Sequence, residues 1–359
     1  FFCGTMTAQF VGGAKLFEVV TGYSYETGLI LFGLVVVFYT AIGGFRAVAI
    51  TDTLCALVMM AGIVLLLYYV LDAGGGFISI MDGIAAEHPE MLKPENLPLG
   101  IYFTQWLLVG VLTIALPQSV VRGISYKDTK SLHKAMLIGT VVVGFMNIGV
   151  NFTGILAHGV LTGAAASYGG VDSIIPQAIV HAMPRELVGF AIIGPLAASI
   201  STISGLLIAS SAIIKDVYLH QKAKQGIVPL ERHVRMLSVF VTAAIGVTVF
   251  FIARTPPALI WLINMFAFGG LETAFFWVLV FGLFWKKANC TRRANKAGAM
   301  LSMAGGTIAY CASMAAGVKL MGLHQITIGF TVSLVLFLIG SYLGKRPSHE
   351  VLQLFFPKR

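Results

Sequence analysis

Apolar runs close to twenty residues long recur from one end of the chain to the other, separated by short polar stretches. Leu54 to Leu71, LCALVMMAGIVLLLYYVL, contains no charge at all. Such a run is long enough, as a helix, to cross a hydrocarbon core of roughly 30 Å. Ten segments of this kind are predicted, at 1–20, 26–42, 46–71, 100–121, 133–160, 186–214, 235–253, 258–285, 297–317 and 323–343. The pattern predicts an all-α polytopic membrane protein, read as one transmembrane domain over 1–359.

Composition agrees. Of 359 residues 57% are hydrophobic and 11% charged, against about 25% charged in soluble domains. The net charge of +9 raises nucleic-acid binding, and its placement disfavours that function. When the connections are assigned alternately to two sides, all but five of the 24 basic residues fall on one side. That side holds Arg46, the group Arg122 to Lys134, the group Lys215 to Arg235, the group Lys286 to Lys296, and Lys345, Arg346, Lys358 and Arg359. Lys15, Lys93, Arg185, Arg254 and Lys319 fall on the other. The positive-inside rule then makes the first side, with the C-terminus, cytoplasmic. A multi-pass protein of a bacterial inner membrane is the expectation.

Other signals are weak. Cys3, Cys55, Cys290 and Cys311 show no paired spacing, and no disulfide is expected. The Asn-x-Thr triplets at Asn151 and Asn289 fall in a membrane segment and on the cytoplasmic side, so neither reads as a glycan site. The glycine-rich stretches at 74–76, 169–170 and 305–306 lack the context and the lysine of a phosphate loop. No cluster of nucleophile, base or metal ligands suggests an enzyme, and no cofactor is expected. Phe1 is not a start Met and has no polar flank before it. This predicts an N-terminal truncation.

Polar residues at membrane depth change the picture. A charge there costs about 2.5–3.5 kcal/mol on insertion scales and is a functional candidate by default. Asp52 and Glu272 qualify. Each is either a protonated or hydrogen-bonded structural acid, or a cation site, gate or substrate contact. Gly269-Gly270, just before Glu272, is a candidate helix break, and Pro117 is another, flanked by Trp106 and Gln118. Trp106 can equally be an interfacial anchor and Pro117 a simple kink. Within GPLAASISTISG (194–205), Ala198, Ser201, Thr202 and Gly205 share one helical face. That face offers two hydroxyls and a carbonyl to a hard cation. Bonds from the hydroxyls back to the i−4 carbonyl, with close helix packing, would explain the same residues.

Several stretches together resemble the sodium/solute symporter family: YTAIGGFRAVAITDT (39–53), PQSVVRGISYKD (117–128), STIS (201–204), SSAIIKDVY (210–218), and GLFWKKAN (282–289) with AGA downstream (297–299). The similarity runs over nearly the whole chain. It implies the LeuT-like five-plus-five inverted-repeat fold, with 1–71 as the remainder of the first repeat, 100–285 as the second, and 297–343 as flanking helices. The first two core helices would be missing. It also implies sodium as a co-transported ligand, held by Ala198, Ser201 and Thr202, with Asp52 tied to cation coupling. Cys55 stands where many relatives have Gln. Solute contacts would come from Gln9, Trp106, Gln118 and Glu272. The activity implied is sodium-coupled symport, with pantothenate as the expected solute and another small organic anion or an amino acid such as proline as the alternative. A channel, a sensor or an inactive fragment on the same scaffold are the remaining readings.

Overall fold

A computed structural model describes residues 1–93, 98–161, 170–256, 259–285, 294–348 and 352. The described residues are helical throughout, with no strand. Lys286, Lys287, Asn289, Cys290, Arg292, Arg293, Lys358, Arg359 and Gly169 lie outside them, as does the side chain of Arg122.

Every predicted segment coincides with helix. In order these are α1 (Phe2–Thr21), α2 (Tyr25–Ala73), α4 (Leu99–Gly110) with α5 (Pro117–Ile124), α6 (Thr129–Val160), α8 (Arg185–Lys224), α9 (Glu231–Arg254), α10 (Ile260–Phe284), α11 (Lys296–Ala315) and α12 (Ile326–Leu343). Two short helices, α3 (Phe77–Glu87) and α7 (Ile174–Ala182), fall between predicted segments. Six of these helices are long and apolar enough to cross a membrane. The difference from ten has three physical causes. The predicted spans 26–42 and 46–71 are two helices that meet without a loop, as α2, across a kink at Gly44, φ 65°, ψ −172°. Essentially only glycine adopts that conformation, so one non-helical residue redirects the chain. The segment 100–121 is interrupted. And α1 and α11, 20 residues each, are rich in small and polar residues.

The chain divides into two compact units. The larger comprises Phe2–Asn96 and Tyr126–Asn264. Its core gathers Met6, Phe10, Leu29, Phe32, Ile203, Leu206, Leu207 and Val249, all buried, from α1, α2, α8 and α9. Glycine sets how closely α2 and α8 approach: a Cβ on Gly62 would stand 3.3 Å from the Gly194 Cα. Small residues at such a crossing are the usual means of bringing helices together in a bilayer. The outward side of α6 carries Leu137, Val141 and Ile148, each more than 70% exposed. Apolar exposure on a helix of 32 residues is what contact with lipid tails requires.

The smaller unit comprises Leu97–Ser125 and Met265–Arg359, with Phe1. Its core joins Leu108, Leu112, Ala115, Met265, Phe276, Tyr310 and Ile326. The α11 and α12 helices pack tightly, since Gly298 faces Ser341, and a Cβ on Gly306 would lie 2.5 Å from Ser333. The Ser302 and Ser333 hydroxyls bond across this seam at 2.8 Å, and Ser333 Oγ donates to the Thr273 carbonyl at 2.8 Å.

Candidate functional site

In the larger unit, α8 supplies the oxygen-bearing face. Pro195 sits inside this 40-residue helix. A proline has no N–H for the carbonyl four residues back, so the Ala191 carbonyl is left without its helical partner just before Ala198. Ala198, Ser201 and Thr202 are half-buried, and Ser204 is fully buried. Thr202 Oγ1 donates to the Ala198 carbonyl at 3.0 Å, and Ser204 Oγ donates to the Ser201 carbonyl at 3.0 Å. The back-bonding considered from the sequence is therefore present at two of the hydroxyls. It does not exclude cation binding, because a hydroxyl that donates one bond keeps two lone pairs. The donated bond turns those lone pairs away from the helix axis.

Asp52 is half-buried on the second half of α2, one turn before buried Cys55. The Tyr39 hydroxyl lies beside Ser204 and within electrostatic reach of Asp52. This unit therefore holds Ala198, Ser201, Thr202, Asp52 and half-buried Gln9. The α1, α2 and α8 helices that carry them pack on one another. A largely apolar cavity of about 300 Å³ opens beside Ala198, lined also by Gly62, Met146, Thr153, Gly194 and Pro195.

One polar tie was not anticipated from sequence. Asp172 Oδ2 accepts from Lys15 Nζ at 3.4 Å and from the Ile260 amide at 3.2 Å. Ile260 opens α10, so a carboxylate from a distant segment caps that helix, where negative charge is favourable. In sequence Asp172 lies 157 residues from Lys15 and 88 from Ile260, and nothing local signals the pairing.

The other solute candidates fall in the smaller unit. The break at Pro117 is real. After α4, Leu112–Ala115 forms a 3₁₀ turn, Leu116 is extended at φ −64°, ψ 123°, and Pro117 opens α5. A fixed φ and no N–H suit proline to that first position. Gln118 follows, half-buried, with its carbonyl oxygen buried and unpartnered among the described residues. Trp106 is 58% exposed and packs edge-on against Tyr102, the arrangement of an interfacial aromatic. At Gly269-Gly270 the expectation of a break fails, because α10 runs without interruption from Ile260 to Phe284. These glycines serve packing instead. A side chain at Gly269 would meet the Tyr310 ring, and one at Gly270 would meet Phe1. Glu272 is fully buried, and neither carboxyl oxygen has a hydrogen-bond partner among the described residues.

Apolar helices exposed toward lipid, with one helix interrupted, fit a membrane-embedded transporter. Comparison with known proteins agrees. A solved sialic acid symporter, Na⁺-coupled and caught in a substrate-bound outward-open state, matches with a TM-score of 0.68 at 19% identity. The match covers 97% of this chain and 75% of that one, and establishes the fold. The model of the sodium:solute symporter family matches residues 1–306. The chain belongs to that family. A sodium/pantothenate symporter of Haemophilus influenzae is 38% identical over 351 residues, spanning 96% of this chain and 70% of that one. Its namesake in Escherichia coli is 37% identical over 348 residues with the same coverage. The osmoregulated proline transporter OpuE of Bacillus subtilis is 30% identical over 366 residues, spanning 99% of this chain and 71% of that one.

Proposed function

We propose that this chain carries out sodium-coupled symport of pantothenate into the cell by alternating access, as one transmembrane transporter domain. The observation that carries the proposal is the 37–38% identity to two sodium/pantothenate symporters over 96% of the chain. Proline is the second reading, supported by the 30% identity to the proline transporter. The setting is a bacterial inner membrane with the C-terminus cytoplasmic, supported by the side bias of the basic residues.

In this proposal sodium binds first, to the Ala198, Ser201 and Thr202 face. The solute follows, contacting Gln9, Trp106, Gln118 and Glu272, and the helices rock to open the other side. One sodium only neutralises a carboxylate solute. The membrane potential, worth about 2.3 kcal/mol per charge per 100 mV, therefore acts on uptake only when a second sodium enters. Asp52 is the candidate for that second site. Asp52→Asn is expected to lower the sodium-to-solute ratio measured by dual-label flux, and an unchanged ratio counts against the role.

The test is uptake of labelled pantothenate by cells expressing the protein, in sodium and then in choline. Concentrative uptake lost in choline supports both solute and ion. Concentrative uptake of proline in its place selects the second reading. Uptake that never exceeds the outside concentration points to a channel.

A further inference from the structure

The turn that joins α8 to α9 mixes apolar and basic side chains on an open surface. Ile227, Val228 and Leu230 are 47%, 94% and 69% exposed. Lys222 and Lys224 precede them, and Arg232 and Arg235 follow. The acids nearby are Asp216 and Glu231, and none of the four basic groups forms an ion pair among the described residues. Lys222 Nζ stands 5.9 Å over the Tyr218 ring. The bias of basic residues to one side of a membrane accounts for the charges. It does not account for the apolar side chains set among them, which exceed the single apolar positions any surface carries.

The turn is firmly built. Gly226, at φ 69°, ends α8, and the Ile227 amide donates to the Lys222 carbonyl and the Gly226 amide to the Ala223 carbonyl, each at 3.0 Å. Its depth follows from the register of the two helices. Ser211 Oγ lies 3.1 Å from both the carbonyl and the hydroxyl of Ser238, which sets these residues level. At about 1.5 Å per residue, Lys215 on α8 and Arg235 on α9 both fall about 5 Å beyond that level. Inward of them the helices carry no charge as far as Glu186 and Arg254, so both mark the same edge of the hydrocarbon. Leu230 then stands about 7 Å beyond the edge, within a headgroup layer about 5–8 Å deep.

The helix faces lead to the same place. On α9, Arg232, Met236 and Phe240 share one face, and Met236 and Phe240 are exposed. On α8, exposed Ile213 and Val217 share a face with Lys224. Each basic head thus sits above apolar side chains that face lipid, where its stem can lie along them.

We propose that this turn docks on anionic phospholipid. Ile227, Val228 and Leu230 enter the leaflet surface, and Lys222, Lys224, Arg232 and Arg235 take the phosphate headgroups. A phosphodiester set above acyl chains meets both kinds of side chain at once. The proposal needs the chain in a bilayer and no particular solute or orientation.

The test is hydrogen exchange of the full chain in nanodiscs, read by mass spectrometry in peptides spanning 225–232. Discs of phosphatidylcholine are compared with discs holding about 30 mol% phosphatidylglycerol. Exchange is expected to slow about fivefold or more with phosphatidylglycerol, and to return toward the phosphatidylcholine rate in about 0.5 M salt. K222Q/K224Q/R232Q/R235Q should lose the lipid effect. So should V228S/L230S, in which every charge remains. Unchanged exchange over 199–207 within α8 shows that the variants fold. Equal exchange in the two lipids overturns the proposal, and the wild-type chain alone decides this. A lipid effect that survives in either variant overturns it too. So does equal slowing in phosphatidylcholine discs given inorganic phosphate, which would mark a simple ion site.

Discussion

Thr202 Oγ1 donates a hydrogen bond to the Ala198 carbonyl and turns its lone pairs outward; Ser201, one residue earlier, makes no such back-bond among the described residues. The two hydroxyls are thus in different states, and their variants separate. Thr202→Ser keeps the bond and the lone pairs, and should retain wild-type sodium dependence. Thr202→Ala and Ser201→Ala each remove an oxygen and should raise the sodium concentration for half-maximal uptake about tenfold, equivalent to about 1.4 kcal/mol of binding. Sodium titration of initial uptake rates checks this, and an unchanged half-saturation in both alanine variants removes the face from the cation site. At this scale the sequence was informative because helical periodicity alone puts 198, 201 and 202 on one face. It was silent on the Tyr39 hydroxyl, which lies within reach of Asp52 and beside Ser204, because the second contact depends on how α2 packs on α8.

Individual elements were legible wherever the apolar run was long and uniform. Glycine and proline were harder to read, because each can act in more than one way. The break expected at Pro117 is present, the one expected at Gly269-Gly270 is absent, and nothing in the sequence marked Gly44 as the hinge between two helices. Backbone conformation decides between these roles, and residue type does not report it. Gly44→Ala places a Cβ in a region worth about 1–3 kcal/mol of strain, so a lower unfolding temperature of the detergent-solubilised protein is expected. The same substitution at Gly83, in the interior of α3 with no neighbour within 4 Å of the added Cβ, should raise it slightly, because alanine favours a helix over glycine by about 1 kcal/mol.

A second element-level prediction concerns α12. His324 Nδ1 accepts from the Ile326 amide at 3.2 Å, and the His324 amide bonds to Thr104 Oγ1 at 3.1 Å. Burial, and then the nearby Lys319, hold this imidazole below its ordinary range. The unfolded segment therefore takes up a proton first as pH falls. The first turn of α12 should be fully stable above the ordinary histidine range and weaken as pH drops through it. Hydrogen exchange at Ile326 and Thr327, corrected for the intrinsic rate, should show more frequent opening at pH 5.5 than at 7.5. His324→Gln should flatten that difference.

For the whole molecule, membrane character was written in hydropathy, and class in the stretches that resemble the symporter family. The long-range ties were not. Asp172, in the 3₁₀ turn Val171–Ser173, links Lys15 of α1 to the start of α10, across sequence distances no local pattern spans. Lys15→Met removes an ion pair that is only partly shielded, with side chains 21% and 13% exposed, and should lower stability by about 1 kcal/mol or less. Asp172→Asn removes the pair and the charge on the α10 amide together, and should be the more damaging of the two. Thermal unfolding of the single variants checks the order.

Asp172 answers two donors with a single oxygen, and that makes the arrangement one-way. Exchanging the residues, with Asp at 15 and Lys at 172, would restore the attraction between them. It would leave the Ile260 amide facing an ammonium group, two donors with no acceptor. Charge-swap rescue, the usual proof of an ion pair, should therefore fail here even though the ion pair exists. The failure would identify the amide as the partner that fixes which residue must be the acid.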